Sequence, residues 1–236
     1  NNIANVDTTG FKKDIAVTQS FSKELMKRVN DNENEYVNTP KKIGDVSLGV
    51  FVHSVHTDFE NGAFKETNGD LDLAISGSGF FVVQFFDENN NPVDRYSRDG
   101  SFTLSNDGNL MTKDGYHVLG ENGIINVPNG NIDISEDGSI YVNEVFVDRI
   151  RLTDFENKES LRKIGHNLYN ITEESNEIPI DNNVRIVQGY LEASNANAVK
   201  EMVEMINLSR VYEANQRVIT IHDTTLNRAV NDLARK

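Results

Sequence analysis

Few side chains in this sequence have the types and spacing that catalysis or metal binding requires. His53 and His56 form the one close histidine pair. On a strand, a separation of three residues points the two rings to opposite faces, so the pair does not predict a metal site. Asp70 and Asp72 share a strand face in the manner of paired hydrolase carboxylates, and Asp99 is a third candidate acid. The alternative interpretation of these acids is a solvated strand edge.

Two loop segments resemble a nucleophile elbow and a calcium-binding loop, but each lacks a residue that its motif requires. Ser76-Gly77-Ser78-Gly79 is without the first glycine of a nucleophile elbow, and a β-turn is the simpler interpretation. Asp87–Pro92 has proline where a calcium loop requires glycine, and no glutamate follows at position twelve. The chain has no cysteine, which excludes disulfides and thiolate metal sites. The sequence therefore predicts no enzyme, no metal and no cofactor.

The longest regular pattern is the last one, from Ser194 to Lys236, which neither proline nor glycine interrupts. Its residues favour helix, and about 40 residues at 1.5 Å each make a rod of roughly 60 Å. Apolar residues recur every seventh position, with two more at a three-residue offset: Met205, Tyr212, Ile219, Leu226 and Leu233, then Met202 and Val230. The intervening Ser209, Gln216 and Asp223 are polar, which disfavours a two-stranded coiled coil.

A second apolar set widens this helix surface beyond one seam: Val199, Val203, Ile206, Val211 and Val218. Such a pattern predicts a helix packed by several neighbours, including copies of itself. The alternative is a core or capping helix that packs only within its own chain. Ser194, Asn195 and Asn197 are the candidate N-caps.

The rest of the chain must position these elements, and its pattern changes along the way. Residues 1–10 are typical of a helix end that turns at Gly10, and Phe11–Val29 has a moderately helical spacing. Strands are predicted at Gly49–Val55, Leu71–Ile75 and Phe80–Phe86. Six Asx-Gly pairs then give the strongest short-range hairpin signal: Asp99-Gly100, Asp107-Gly108, Asp114-Gly115, Asn122-Gly123, Asn129-Gly130 and Asp137-Gly138.

These patterns predict an α+β fold that is mainly β. An antiparallel β domain is inserted between N- and C-terminal helical segments that pack together, and the C-terminal helix is long. The predicted parts are an N-terminal helical segment (1–30), an extended connector with strands (31–70), the β domain (71–160), a return connector with a strand (161–193) and the long helix (194–236). Because the chain begins at Asn1 without a methionine, we expect that the start of its first helix is missing.

Charge is distributed unevenly along the chain, whose 236 residues carry a net charge of −14. Residues 31–194 hold 12 basic against 29 acidic side chains, a balance of −17. Residues 1–30 hold 5 against 3, and residues 195–236 hold 6 against 5. An acidic surface argues against nucleic acid as a partner, and no apolar run is long enough to span a membrane. Near-neutral ends can pack against like copies while the acidic middle stays solvated.

Five segments in chain order resemble the bacterial flagellar rod and hook–basal body proteins. The N-terminal motif of that family matches at Asn2, Ile3, Ala4, Asn5, Thr9, Gly10 and Phe11. The others are residues 71–81, residues 96–102 with the glycine turns after them, residues 164–169, and residues 189–215. Within the family, the distal rod protein and its close proximal-rod relatives are the most similar.

This resemblance implies a structural subunit of the rod, located in the basal body outside the cytoplasmic membrane. Its partners would be copies of itself, neighbouring rod and hook proteins, and the flagellar type III export apparatus. The terminal helices would form a hollow axial tube that transmits torque from motor to hook. The residues expected to carry helix packing in the assembly are Ile3, Phe11, Met202, Met205, Ile206, Tyr212, Ile219, Leu226 and Leu233. The alternative function is a surface adhesin or carbohydrate-binding β module with a helical tail.

Overall fold

The computed structural model describes residues 1–21, 24–27, 42–46, 49–87, 91–172, 175–181 and 183–233. The chain forms two compact units, one of Asn1–Lys13 with Phe59–Lys236 and the other of Asp14–Asp58. The segment Asn30–Lys42, with its polar and acidic residues and Pro40, predicts a solvated loop. Residues 30–41 of it lie outside the described residues, as does the middle of the Asp87–Pro92 segment. Among the described helices, none is both long enough and apolar enough to cross a membrane.

The smaller unit consists of antiparallel strand pairs. Its described strands are β1 (Asp14–Ser20), β2 (Glu24–Lys27), β3 (Lys42–Val46) and β4 (Val50–Thr57). Strand β1 pairs with β4, and β2 pairs with β3. The helix predicted over Phe11–Val29 is therefore wrong for β1 and β2. The reason lies in Ile15, Val17 and Thr18, whose β-branched side chains favour a strand once a partner strand is present.

The larger unit contains the remaining strands, two 3₁₀ turns and the long helix. The strands are β5 (Phe64–Glu66), β6 (Leu73–Ser76), β7 (Phe80–Phe86), β8 (Pro92–Ser97), β9 (Phe102–Leu104), β10 (Leu110–Thr112), β11 (His117–Gly120), β12 (Gly123–Ile124), β13 (Ile132–Ile134), β14 (Ser139–Val142), β15 (Val145–Arg149), β16 (Leu152–Phe155), β17 (Arg162–Gly165), β18 (Leu168–Asn170), β19 (Glu177–Ile178), β20 (Arg185–Gln188) and β21 (Tyr190–Glu192). The 3₁₀ turns are Ile3–Asn5 and Lys158–Ser160, and the helix is α1 (Ala198–Leu233).

The sheets of this unit are antiparallel, as predicted. The main sheet has the order β17-β18-β8-β7-β11-β10-β9, with β12 beside β11, β16 beside β7 and β19 beside β16. Strands β13, β14 and β15 form a separate three-stranded sheet. The late strands β20 and β21 pair with the early strands β6 and β5. Since β17 and β18 belong to the main sheet, that sheet extends beyond the residues 71–160 predicted for it.

The first four residues of β7, Phe80–Val83, are buried on both faces of the strand, which explains why all four are apolar. Phe81 and Val83 pack into one hydrophobic cluster, and Phe80 and Val82 pack into a second cluster on the other face. Alternate side chains of a strand point to opposite faces, so a strand between two cores needs apolar residues at every position. Each fully buried side chain of this kind contributes about 1.5–3 kcal/mol.

The predicted hairpin turns are largely present. The second, third, fourth and sixth Asx-Gly pairs lie at the turns that join β9–β10, β10–β11, β11–β12 and β13–β14, and their glycines have positive φ. Asp99-Gly100 has another role. A Cβ on Gly100 would lie 1.8 Å from the carbonyl oxygen of Leu73, so this glycine permits two backbone segments to touch.

Candidate assembly surface and the junction at its base

Helix α1 is 36 residues long, which corresponds to roughly 54 Å at 1.5 Å per residue. Its N-cap is Asn197, one of the three predicted caps, because the Oδ1 atom accepts a hydrogen bond from the backbone N–H of Lys200 at 3.1 Å. Glu201 lies in the first turn, where its charge interacts favourably with the helix dipole. The long C-terminal helix predicted from the sequence is confirmed.

The helix exposes apolar side chains along its whole length, between 50% and 72% of each. They are Val199, Met202, Val203, Met205, Ile206, Leu208, Val211, Tyr212, Val218, Ile219, Ile221, Leu226 and Val230. A helix that completes its packing inside its own chain buries its apolar stripe. The described side chains of α1 do not bury such a stripe. The alternative of a core helix packed within its own chain is therefore wrong for these residues.

The exposed residues surround the helix instead of forming one stripe. Successive residues are about 100° apart, so Ile206, Val211 and Tyr212 point in three widely separated directions. The predicted seam is also open, since Tyr212 and Ile219 are exposed and the Nε2 atom of Gln216 donates to the hydroxyl of Tyr212 at 2.8 Å. We call the exposed apolar side chains of α1 the helix surface. It offers contacts to neighbours on several sides.

The remaining predicted assembly residues have different surroundings. Ile3 lies half-buried in the first 3₁₀ turn, near the start of α1. Phe11 is only 7% exposed, and the Nζ atom of Lys163 lies 4.4 Å from its ring centroid. Phe11 therefore packs inside the larger unit and is separate from the helix surface. The side chain of Leu233 lies outside the described part of the chain, so its role stays a prediction.

The N-terminal motif attaches the first residues to the body of this unit. Asn2 donates through Nδ2 to the Glu201 carboxylate of α1 at 3.1 Å. The hydroxyl of Thr9 donates to Asp99 at 2.8 Å, and the carbonyl oxygen of Thr9 accepts from the Nδ2 atom of Asn167 at 3.0 Å. Within the described N-terminal residues only Ile3–Asn5 is helical, so the predicted contact between terminal helices is reduced to one short turn against the start of α1.

Gly10 of the motif is required by the backbone around it. Its φ of +67° is in the left-handed region, where side chains other than glycine are disfavoured. A Cβ atom on Gly10 would lie 2.5 Å from the backbone carbon of Arg98. Its N–H donates to the carbonyl oxygen of Glu192 at 2.7 Å, so the N-terminal motif lies directly against the chain that leads into α1.

Three charged side chains are buried at this junction, and we call Lys12, Arg98 and Glu192 the buried charge cluster. They are 0%, 4% and 1% exposed. The Nζ atom of Lys12 donates to Oε1 of Glu192 at 2.5 Å and to the carbonyl oxygen of Glu60 at 2.8 Å. Nη1 of Arg98 donates to Oε2 of the same glutamate at 3.3 Å. One carboxylate therefore pairs with a cation on each of its oxygens.

Backbone groups add further polar contacts to the cluster, although the buried Nε atom of Arg98 has no hydrogen-bond partner among the described residues. Gly62 donates its N–H to Oε1 of Glu192 at 2.8 Å, and Nη2 of Arg98 donates to the carbonyl oxygen of Gly77 at 2.7 Å. The guanidinium also lies 5.4 Å from the ring centroid of Phe80. Burial lowers the pKa of Arg98 from its ordinary value, while the Glu192 carboxylate opposes that change. Arginine keeps its proton in proteins, so Arg98 is a buried cation beside the Glu192 carboxylate.

Asn195 extends the junction toward the helix. Its Oδ1 atom accepts from the backbone N–H of Lys13 at 2.7 Å, and its Nδ2 atom donates to the carbonyl oxygen of Glu60 at 3.1 Å. Its own N–H donates to the carbonyl oxygen of Phe11 at 3.3 Å. Two residues later, Asn197 caps α1. Asn195 was predicted only as a possible N-cap, and in the structure it joins three segments of chain.

The buried charge cluster was missed from the sequence, although a signal was present. Lys12 follows the N-terminal motif directly, and Arg98 and Glu192 lie inside two of the other segments that carry the family resemblance. Charged residues inside such segments are therefore candidates for buried positions, as the apolar ones are. Without the fold, each has the composition of an ordinary surface position.

Two of the residues considered for chemistry make local polar contacts. Nε2 of His56 lies 2.9 Å from the hydroxyl of Ser54. The carboxylate of Asp99 accepts from Thr9 and, at 3.0 Å, from the N–H of Ser101, so it has a structural role. In the described part of the chain no three histidine or acidic side chains are grouped as metal ligands are.

Two family models match the sequence. The one described as the flagellar hook protein FlgE/F/G D1 domain matches residues 74–142, and the one described as the flagellar basal body rod FlgEFG protein C-terminal matches residues 187–233. A basal-body rod protein FlgG of Buchnera aphidicola (from Schizaphis graminum) is 35% identical, over 96% of this chain and 89% of that protein. FlgG of Bacillus subtilis is 32% identical, over 98% and 90%. FlgF of Caulobacter vibrioides is 34% identical, over 91% and 81%.

The chain belongs to the flagellar basal-body rod protein family. As a member it is a structural subunit of the rod, and its location is the flagellar basal body. The C-terminal match to the rod family covers the end of β20, β21 and α1, so it includes the helix surface and the chain that leads into it. The relatives give no support to the adhesin or carbohydrate-binding alternative.

Proposed function

We propose that this rod-family subunit binds copies of itself through the helix surface of α1. The observation that supports this most strongly is the exposure of at least half of each apolar side chain, from Val199 to Val230. Monomeric proteins rarely expose contiguous apolar patches larger than a few hundred Å². Burial of apolar surface contributes about 25 cal/mol per Å², so this surface gains most when copies cover it.

The distribution of apolar residues also indicates the kind of assembly. A single stripe would suit a pair of helices, whereas residues around the circumference suit a helix with neighbours on several sides. Residues 195–236 are close to neutral, with 6 basic and 5 acidic side chains, so copies of α1 can approach without strong repulsion. Met202, Met205, Ile206, Tyr212, Ile219 and Leu226 would carry these contacts, with Ile3 beside the start of the helix.

In this proposal the helices form the wall of a hollow axial tube, and the acidic β-rich units stay solvated outside it. The tube transmits torque, which is a mechanical task that needs no cofactor and no reaction. The partners would be copies of this chain, the neighbouring rod and hook proteins, and the flagellar type III apparatus that exports the subunits. The absence of cysteine is compatible with export of an unfolded chain, because no cross-link can form on the way.

The test replaces two seam residues, Tyr212→Asp with Ile219→Asp, in the full chain. The two carboxylates must be desolvated in any contact that buries the seam, so we expect loss of assembly by analytical ultracentrifugation and electron microscopy. The thermal unfolding of the β-rich units should not change, because both side chains are exposed.

The matched control is the pair Tyr212→Phe and Ile219→Val, which alters the same positions but keeps them apolar. This control should assemble as the unmodified chain does. Circular dichroism then shows whether α1 is still helical in each variant. Assembly of the aspartate variant at an unchanged concentration would contradict the proposal, as would loss of assembly in both pairs.

A further inference from the structure

The buried charge cluster lies where the N-terminal segment meets the chain that enters α1. Lys12 and Glu192 are 180 residues apart in sequence, and their pairing brings the N-terminal segment to the chain that enters α1. Apolar side chains of similar volume often replace a buried ion pair without loss of stability, so stability alone does not explain the charges.

We propose that Lys12, Arg98 and Glu192 are positioning residues that fix the N-terminal segment to the base of α1 and so set the direction in which the helix leaves the β body. The consequence for assembly rests on the proposed function, but the positioning itself is a property of the single subunit.

Directional contacts are the first reason for this assignment. Glu192 accepts from Lys12 and Gly62 on Oε1 and from Arg98 on Oε2. Apolar contacts have no preferred direction, whereas these hydrogen bonds lose strength when the angle or the partner changes. A shift of one residue in the chain at Glu192 would leave buried charges without partners. The cluster therefore selects one position of that chain among the many that would bury similar area.

A continuous set of contacts carries this selection to the helix. The N–H of Ala193 donates to the carbonyl oxygen of Ala63 at 2.8 Å, and a Cβ on Gly62 would lie 1.9 Å from the carbonyl oxygen of Ala193. Asn195 then contacts Lys13, and Asn197 caps α1. Every second residue from the cluster to the helix is held by a contact, which leaves little freedom for the helix to change direction.

The experiment measures the direction of α1 in the unassembled full chain. Cysteines are introduced at the exposed positions Asp7 and Asn215, and because the chain has no other cysteine, a nitroxide label attaches to these two sites alone. Pulsed electron–electron double resonance spectroscopy gives the distribution of distances between the two labels. We expect one narrow distribution for the unmodified cluster. In Lys12→Met we expect loss of the narrow peak, while the thermal transition of the β body persists.

The matched control is Arg185→Met, which removes the cation of the exposed Arg185–Glu136 ion pair. It should leave the distribution narrow. If Lys12→Met does not fold, the measurement is repeated with Lys12→Met, Arg98→Met and Glu192→Leu together, in which no charge is left unpaired. That variant should fold and give a broad distribution.

A narrow, unshifted distribution in either folded cluster variant overturns the proposal. Failure of the triple variant to fold also overturns it, because the charges would then be needed for the fold of the body and not for direction. The measurement is made at a dilution at which sedimentation shows single copies. It therefore stands or falls independently of the aspartate test of the helix surface.

Discussion

The ammonium group of Lys12 lies 2.5 Å from the carboxylate of Glu192, and both side chains are completely buried. This contact joins the segment after the N-terminal motif to the strand that precedes the long helix. Its charges are shielded from solvent, so their interaction is only weakly screened by salt. The two ends of the chain are consequently held together by specific contacts inside the subunit.

Glu192→Gln should lower the free energy of unfolding of the larger unit by about 3–5 kcal/mol, because it leaves the ammonium and guanidinium groups buried without a counter-charge. Chemical denaturation measures the difference. Glu136→Gln, which removes the carboxylate of the exposed ion pair with Arg185, should change the free energy of unfolding by about 1 kcal/mol or less. Equal effects at the two positions would contradict this expectation.

Gly10→Ala should destabilise the larger unit more than Gly115→Ala does. Both glycines have positive φ, so alanine at either position costs about 1–2 kcal/mol in backbone strain. Only Gly10 also lies against backbone, whereas a Cβ on Gly115 meets nothing within 4 Å. Thermal denaturation of the two variants isolates the contribution of the close contact. A larger loss for Gly115→Ala would show that this contact relaxes easily.

Stability should fall more steeply in alkali for the unmodified chain than for Tyr96→Phe. Burial raises the pKa of Tyr96, and the hydrogen bond from its hydroxyl to Glu177 raises it further. A raised pKa means that the stabilisation is complete below the unfolded-state value of about 10 and is lost as the pH rises above it. Unfolding free energies measured at pH 8 and pH 11 give the two slopes. An equal loss of unfolding free energy between pH 8 and pH 11 in the two proteins would contradict the assignment of this loss to Tyr96.

A chain that ends at Asn197 should keep the unfolding transition of the β body, because the helix it lacks is exposed along its length. A chain that ends at Asn183 should lose that transition, since it also lacks β20 and β21, which pair with β6 and β5. Differential scanning calorimetry of the two truncated chains distinguishes these outcomes. Loss of the transition in the longer of the two would show that α1 stabilises the body after all.

Local patterns allowed the prediction of the elements whose structure depends on nearby residues. The propensities and apolar repeat after Ser194 predicted α1, and the Asx-Gly pairs predicted hairpins that need only a few residues to form. The mostly apolar run Phe80–Phe86 predicted a buried strand, and β7 has those bounds, with its first four residues buried. The spacing of Phe11–Val29 gave a wrong prediction because β1 depends on β4, which lies about thirty residues further along the chain.

The buried charge cluster was beyond local patterns for the same reason. Charged side chains are mostly exposed, so Lys12 and Glu192 each look like surface residues until the fold brings them together. The exposed state of α1 was likewise not visible, since an apolar repeat predicts a helix that will be covered but does not say by which chain. Its apolar residues were predicted correctly, and the structure supplied the fact that its own chain leaves them open.

The pairing of late strands with early ones also determines when the body can complete its folding. Strand β21 closes on β5, and Glu192 meets Lys12, so the body lacks two of its strand partners and its central carboxylate until the chain is present as far as residue 192. Contacts between such distant residues form slowly. A chain that becomes available from its N-terminus onward therefore cannot complete this body until residue 192 is free to pair.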